Sequence, residues 1–320
     1  MEYIVVTGAL GFIGRNFVEF LNNKGFDNII LIDTLKQRNF LNLYDLKFKD
    51  FVDYTEGLDY LFNYVKNFKI SAIFHIGANS DVLVSNCKIM LEENFKHSKL
   101  WFFVAKEKNA PMIYASSSAI YGNSGCFKVD PSCEKPHNEY AFSKWLFDNY
   151  VKANIHNVNN KVIGFRLFNV FGWGEFHKGK NASLPYRFFE FVIKKGFIDL
   201  FNADIKRDYI WVGDVCEVFY KTWLENPLPS GIYNLGSGNP ISHKRVAELV
   251  IETMIEEKVI SENREYITPI PMPEELKHRF QYYTQAEDVP EWIKDIVNNT
   301  EGKMKGYIKK LCKNHRRGGE

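Results

Sequence analysis

Three groups of residues in this chain could do chemistry, two of them by types and spacing suited to acid–base work. Tyr140 and Lys144 stand four residues apart in Tyr-Ala-Phe-Ser-Lys, which puts the phenol and the ammonium on one face of a helix. A phenol with a pKa of ~10 is a poor base at neutral pH. A neighbouring ammonium favours the phenolate and brings it toward the working range of a general acid–base. Twenty-three residues before Tyr140, Ile113-Tyr-Ala115 runs into Ser116-Ser117-Ser118. There the Ser117 hydroxyl can donate to an oxygen that alternates between alcohol and carbonyl. The third group is the loop Glu175-Phe-His177-Lys178-Gly179, whose lysine, taken bare, is a phosphate clamp or a solvated side chain. Tyr-x-x-x-Lys taken bare is likewise only a packed ring beside a solvated lysine. Both acquire chemistry from what surrounds them.

The surroundings begin at the N-terminus. A β-branched run (Ile4, Val5, Val6) breaks into Thr7-Gly8-x-x-Gly11-x-x-Gly14 and opens an amphipathic helix. Glycines are needed there because a Cβ would block the strand-to-helix turn and hold the backbone away from a pyrophosphate. The helix N-terminus then faces the phosphates with its unpaired N–H groups. A second strand, Asn28-Ile-Ile-Leu-Ile-Asp33, ends in an acid 19 residues after Gly14, the spacing of a carboxylate on the adenosine ribose. Strand, glycines, helix, strand and acid in that order specify a dinucleotide site.

Strand-like runs at Tyr3–Val6, Ile29–Ile32, Ala72–His75, Met112–Ala115 and Val162–Leu167 alternate with helical stretches near Asn16–Asn23, Leu58–Phe68, Asn94–Lys108 and Ala141–Ala153. This predicts βαβ units and an α/β fold, a Rossmann-type doubly wound parallel sheet with ligands beyond the carboxyl ends of its strands. After residue 170 the pattern loosens into a glycine-marked loop, a helix (Leu184–Lys195), a short strand (Asp208–Val212), a helix (Val215–Leu224), another at His243–Glu257, a proline bend and terminal helices. We expect a dinucleotide-binding domain over 1–170. A smaller substrate-binding lobe over 171–320 partly interleaves with it to cap the cleft.

At 320 residues and 45% hydrophobic, the chain can bury a large core. A net charge of +2 is too mild to argue for nucleic acid. The five cysteines are scattered without a C-x-x-C pair and read as reduced thiols of a cytoplasmic protein, with no disulfide framework or zinc site. No metal is implied by the scattered histidines. The chain enters its first strand directly after Met1-Glu2, with no secretory signal, and no apolar run approaches the ~18 residues of a membrane span. The basic tail (Lys303, Lys305, Lys309, Lys310, Lys313, Arg316, Arg317) reads as a solvated helix face with a frayed end.

Thr7-Gly-x-x-Gly-x-x-Gly14, Asp33, the Ser117 strand end, Tyr140-x-x-x-Lys144, Arg207-Asp-Tyr-Ile-Trp-Val-Gly-Asp214 and Asn234-Leu-Gly-Ser-Gly238 resemble the extended short-chain dehydrogenase/reductase superfamily over about residues 3–288. Within it, the chain resembles the nucleotide-sugar epimerases. Phe165-Arg-Leu-Phe-Asn169-Val-Phe-Gly172, the Glu175–Ser183 loop, Arg279-Phe-Gln-x-x-Thr284-Gln-Ala286, Phe142–Asp148 and Ile73-Phe-His-x-Gly-Ala78 are similar to the ADP-glyceromanno-heptose 6-epimerase family, which supplies lipopolysaccharide core precursors. The resemblance implies Tyr140 as acid/base, Lys144 as ribose contact and tuner of Tyr140, Ser117 as substrate orienter, and Lys178 as a second catalytic residue. It places a cofactor against Gly8, Gly11, Phe12, Ile13, Gly14, Asp33, Thr34, Arg38, Gly77, Ala78, Asn94, Tyr140, Lys144 and Val170. The nucleotide sugar, an ADP-heptose, falls against Ser80, Ser117, Asn169, Lys178, Lys180, Arg187, Phe201, Arg207 and Phe280, with Arg207 suited to clamp a diphosphate. Lys180, Arg187 and Phe280 stand where the family has Ser, often His, and Tyr. The family also implies a homo-oligomer.

The chemistry asks for two bases. A redox-neutral epimerase oxidises a carbinol, keeps the hydride on a nicotinamide and returns it to the opposite carbonyl face. The hydroxyl then points differently in the two epimers, so one fixed base cannot serve both equally well; Tyr140 and Lys178 on opposite sides of the carbonyl would. For the cofactor, Asp33 alone favours NAD by repelling a 2′-phosphate. Lys36 and Arg38 follow at once, however, and the family uses NADP despite an acid here, so NADP is expected with NAD as the alternative. The competing functions are another nucleotide-sugar epimerase or reductase of the 4-epimerase type and a catalytically inactive dinucleotide-binding sensor. The dehydratase branch is disfavoured, because it carries Thr-Asp-Glu where this chain has Ser117-Ser118-Ala119.

Overall fold

A computed structural model of the chain describes residues 2–35, 39–80, 86–277 and 281–318. It divides into two compact units. The first comprises residues 1–167 and 213–235, the second 168–212 and 236–320.

The first unit is a parallel sheet. Its strands are β1 (Glu2–Thr7), β2 (Ile29–Asp33), β3 (Asp50–Asp53), β4 (Lys69–His75), β5 (Met112–Ser117), β6 (Val162–Leu167) and β7 (Gly231–Leu235), in the order β7-β6-β5-β4-β1-β2-β3. Every pairing is parallel. The central strands are mostly apolar because both faces are covered; all six residues of β6 are buried, Arg166 among them. Chain order reverses between β1 and β4, which leaves a crevice at their carboxyl ends. The core beneath joins Val5, Ile30, Ile73, Trp101, Met112 and Phe147.

The alternation of strand and helix is as the sequence implied, with different boundaries. The first helix starts at Phe12 directly after Gly11. The stretch expected as one helix from Asn94 is a π-helical turn (Leu91–Lys96) continued by an α-helix (His97–Lys108). Strands β3 and β7 carried too few apolar residues to be read in advance. Cys126 and Cys133 form a disulfide with Cα atoms 5.1 Å apart, which corrects the reading of all five cysteines as free thiols. The two lie seven residues apart in a turn-rich loop, so only its folded path brings them within bridging range.

In the second unit three short strand pairs join Asn169–Phe171 to Tyr209–Trp211, Lys206–Arg207 to Ile241–Ser242, and Ile198–Phe201 to Ile267–Ile270. Helices Leu184–Lys195, His243–Glu256 and Thr300–Arg316 pack Phe188, Val192, Val246, Val250, Met304 and Ile308 into one core. The basic tail is helical to Arg316, and Lys305, Lys309 and Arg316 pair with Glu252, Glu256 and Glu257.

Candidate functional site

Where β1 ends, the chain turns through Gly8 at φ +69° into a helix whose N-cap is Gly11. A Cβ on Gly8 would lie 2.5 Å from the Gly77 Cα, and one on Gly14 would overlap the Gly8 carbonyl oxygen. Backbone therefore meets backbone at the crevice between β1 and β4. The N-cap, Gly11, has no side chain to cover the start of the helix (Phe12–Asn23), and a helix N-terminus is suited to an anion. These residues fit a dinucleotide pyrophosphate. Asp33, closing β2, accepts from the Leu10 amide (2.7 Å) and the Thr34 amide (2.7 Å), and the Thr34 hydroxyl donates to Asp53 (3.2 Å). Gly77 and Ala78 follow β4, with Ser80 exposed just beyond. Lys36 and Arg38 lie outside the described residues.

A buried polar chain runs from this loop to the helix carrying Tyr140. The Gly77 amide donates to Thr7 Oγ1 (3.0 Å), which is 2.8 Å from His75 Nδ1; His75 Nε2 is 2.8 Å from Ser98 Oγ. Ser98 donates onward to the Asn94 carbonyl (2.7 Å). Asn94 Nδ2 donates to Ser143 Oγ (2.9 Å), which donates to the Tyr140 carbonyl (2.8 Å). Ser98 has a single proton and gives it to Asn94, so His75 must donate from Nε2 and accept at Nδ1 from Thr7. The ring is neutral, because burial, with Lys144 and His97 adding to it, holds its pKa well below the usual value. His75 is thus a structural link rather than a ligand.

Asn138 caps the helix Glu139–Asn154 by accepting from the Ala141 amide (2.8 Å), which sets Tyr140 in the first turn. Tyr140 is half-buried, and the Ser117 hydroxyl at the end of β5 is close enough to stabilise its phenolate. Lys144, one turn on, is 5% exposed, and its Nζ donates to the Ala115 carbonyl (2.8 Å). Burial lowers its pKa to about 8, with Asp148 opposing. The phenol departs from expectation. Burial raises its pKa, and Ser117, not the Lys144 ammonium, opposes the rise. The ammonium is committed to Ala115, so desolvation wins.

One turn past Lys144, Asp148 joins a buried charge cluster. Arg166 donates to Asp148 (2.9 Å) and Glu134 (2.6 Å), Tyr114 donates to Asp148 (3.0 Å), and the guanidinium lies over the Tyr121 ring. This cluster clamps the helix to β5 and β6.

The second unit holds a pocket of about 310 Å³. Asn169, Val170, Lys178, Arg187 and Arg207 line it, together with Tyr209 and His243, which sequence reasoning did not select. Lys180 and Phe201 are not among its lining residues, and Phe280 lies outside the described residues. Val170, expected at the cofactor, lines this pocket. Burial lowers Lys178, with Glu175 opposing, and lowers Arg187. It brings Arg207 down to about 10, with Tyr209 opposing. His243 falls to about 3 through burial and the charges of Arg207 and Arg187. A pocket that gathers Lys178, Arg187 and Arg207, with the two arginines also disfavouring charge on His243, is suited to a polyanion such as a diphosphate. No helix among the described residues is long and apolar enough to cross a membrane.

The pattern of the NAD dependent epimerase/dehydratase family matches residues 4–236. A curated relative, the ADP-L-glycero-D-manno-heptose-6-epimerase of Brachyspira hyodysenteriae, is 38% identical over 291 residues, covering 89% of each chain. The crystal structure of the Helicobacter pylori ADP-L-glycero-D-manno-heptose-6-epimerase is similar, with a TM-score of 0.81 and 25% identity over 97% of this chain and 96% of that one. The Thermus thermophilus UDP-glucose 4-epimerase complexed with NAD shares the fold at 23% identity, with a TM-score of 0.76 over 99% of this chain and 100% of that one.

Proposed function

Since the chain belongs to the NAD dependent epimerase/dehydratase family, we propose that it inverts C6″ of the heptose in ADP-D-glycero-D-manno-heptose, a redox-neutral isomerisation. The observation that carries this reading is the kinship with a heptose epimerase over nearly the full length of both chains. In the glycine cradle a nicotinamide supplies reversible hydride exchange. The chain's own residues move the proton. Tyr140 takes it from, or returns it to, the C6″ oxygen in one epimer, with Ser117 orienting that oxygen by a hydrogen bond. Lys178 serves the other epimer, whose hydroxyl points elsewhere. Lys178 can do so because burial has already weakened its hold on a proton. Lys144 holds the ribose of the cofactor. Arg207 and Arg187 hold the diphosphate.

NADP is the proposed cofactor. Both Asp33 oxygens are turned onto the Leu10 and Thr34 amides, and Lys36 and Arg38, next in the chain, carry the charge a 2′-phosphate needs. A division of labour between residues 1–170 for the cofactor and 171–320 for the sugar, a homo-oligomeric assembly and a cytoplasmic setting belong to the same reading.

The test is a proton NMR time course of the purified protein with ADP-D-glycero-D-manno-heptose and no added nicotinamide. Appearance of the L-glycero epimer establishes the reaction and a retained cofactor, whose identity follows from the nucleotide released on denaturation. Tyr140→Phe and Lys178→Met should each slow epimerisation by about 10²–10⁴-fold. No epimer, even with NADP added, overturns the substrate assignment and directs the assay to UDP- and GDP-sugars.

A further inference from the structure

Glu175 is fully buried, and its carboxylate draws together both ends of the loop that carries Lys178. Oε1 accepts from the Gly172 amide (3.3 Å), the Ser183 hydroxyl (2.6 Å) and the Tyr307 hydroxyl (3.0 Å), while Oε2 accepts from the Ser183 amide (2.5 Å). Its own carbonyl accepts from the Lys178 amide (2.9 Å). Between Gly172 and Ser183 the chain forms a 3₁₀ segment, Phe176–Asn181, that breaks its helical path at Gly179 (φ +52°). A segment this short has little cohesion of its own. Ser183 is also the N-cap of Leu184–Lys195, yet its hydroxyl goes to Glu175 instead of capping that helix. Arg187, one turn in, therefore starts from a point fixed by the same carboxylate.

We propose that Glu175 is the positioning residue for Lys178. It anchors the 3₁₀ segment at both ends against the helix Thr300–Arg316, and its carboxylate, held by four donated hydrogen bonds, places a negative charge on the segment that carries Lys178. The inference rests on the reading of Lys178 as the second acid/base. Among the described residues, the other charged or titratable groups around Lys178 are His177 and Lys180 in its own segment, Arg187, Arg207, Tyr209 and His243 of the pocket, and Tyr307 on the Glu175 carboxylate. Burial is the larger influence on Lys178 and Glu175 opposes it; burial also raises the Glu175 carboxyl itself, against the Ser183 and Gly172 donors and the Lys178 charge.

The experiment compares Glu175→Gln, Glu175→Asp, Tyr307→Phe and Lys178→Met in the full chain with its bound nucleotide, measuring kcat and KM across pH together with the thermal unfolding midpoint. Glutamine keeps the size but loses the charge, and it turns donors toward donors. Its kcat should fall at least about tenfold with KM changed less than about threefold. The limb of the kcat profile that Lys178 controls should move to lower pH, because Lys178 then loses its proton more readily. This direction holds whether Lys178 acts as acid or as base. Aspartate restores the charge but not the reach, so the limb returns while kcat stays low. A merely structural role would lower the unfolding midpoint and leave the limb in place, which overturns the proposal. Wild-type kcat and pH profile in Glu175→Gln, alongside an inactive Lys178→Met, also overturns it. An active Lys178→Met instead removes the acid/base reading beneath it. Should Glu175→Gln not fold, Tyr307→Phe takes its place: it removes one donor from the carboxylate and should lower kcat at constant KM, and an unchanged kcat refutes the inference.

Discussion

Replacing Lys144 by methionine should make the nucleotide-stripped protein more stable at pH 7 while abolishing its activity. The side chain is 5% exposed, and burial brings its pKa from 10.5 to about 8. At about 1.4 kcal/mol per unit, keeping the ammonium charged in the fold costs about 3 kcal/mol. Its hydrogen bond to the Ala115 carbonyl returns about 1–2 kcal/mol, so the variant should gain about 1–2 kcal/mol. The pH dependence separates this charge effect from packing. Between pH 8 and 10.5 the unfolded chain holds a proton at this lysine that the native state has released, so wild-type stability rises with pH across that window. The variant lacks this contribution. Its advantage should be largest and constant below pH 8, shrink across the window and reverse above it, where the wild type should lead by about 1–2 kcal/mol once the full cost of about 3 kcal/mol is gone. Urea unfolding of both proteins at a series of pH values measures the difference directly. A difference that stays flat, or that grows with pH, refutes the claim that a buried charge is being held at the site for later use.

Other substitutions test the scaffold. Gly14→Ala places a Cβ against the Gly8 carbonyl, so the protein should purify without nucleotide and bind NADP at least about tenfold more weakly in a fluorescence titration. Asp148→Ala strips one carboxylate from the fully buried Arg166 and should cost about 3–5 kcal/mol in urea unfolding, with Asp148→Asn costing less. Arg207→Lys keeps the charge but loses the two-pronged donor geometry, so KM for the nucleotide sugar should rise about tenfold with kcat nearly unchanged.

Legibility followed sequence distance. The glycine turn, Asp33 and Tyr140-x-x-x-Lys144 announce themselves because their chemistry is encoded within one turn, one helix or one βαβ unit. Lys178 stood out only by resemblance. Glu175, three residues before it, gave no signal, because its meaning lies in Tyr307, 132 positions away. His243 was hidden for a similar reason: a lone histidine opening a helix says nothing until Arg187 and Arg207 are folded beside it. Strands β3 and β7 escaped because a four-residue polar strand and a glycine-led one lack the apolar run that marked β1, β2 and β6. The balance at the Tyr140 phenol, where burial raises the pKa and Ser117 opposes, depends on something that spacing cannot convey. Which carbonyl Lys144 would meet, and how dry its surroundings would be, are properties of the packed sheet.

The polar chain from Gly77 to Tyr140 has a direction. Each member gives its proton toward the next, from the Gly77 amide through Thr7, His75, Ser98, Asn94 and Ser143 to the Tyr140 carbonyl. Such a sequence cannot be reversed at one link. A second proton on His75 would set donor against donor at Thr7, and a change of tautomer would leave acceptor facing acceptor at Ser98. Position 75 therefore needs a side chain that accepts at one end and donates at the other across the span of an imidazole, whatever the substrate. An engineer who re-targets the pocket of the second unit to another sugar can leave this line of protons alone. One who redraws the glycine turn inherits its polarity as a boundary condition.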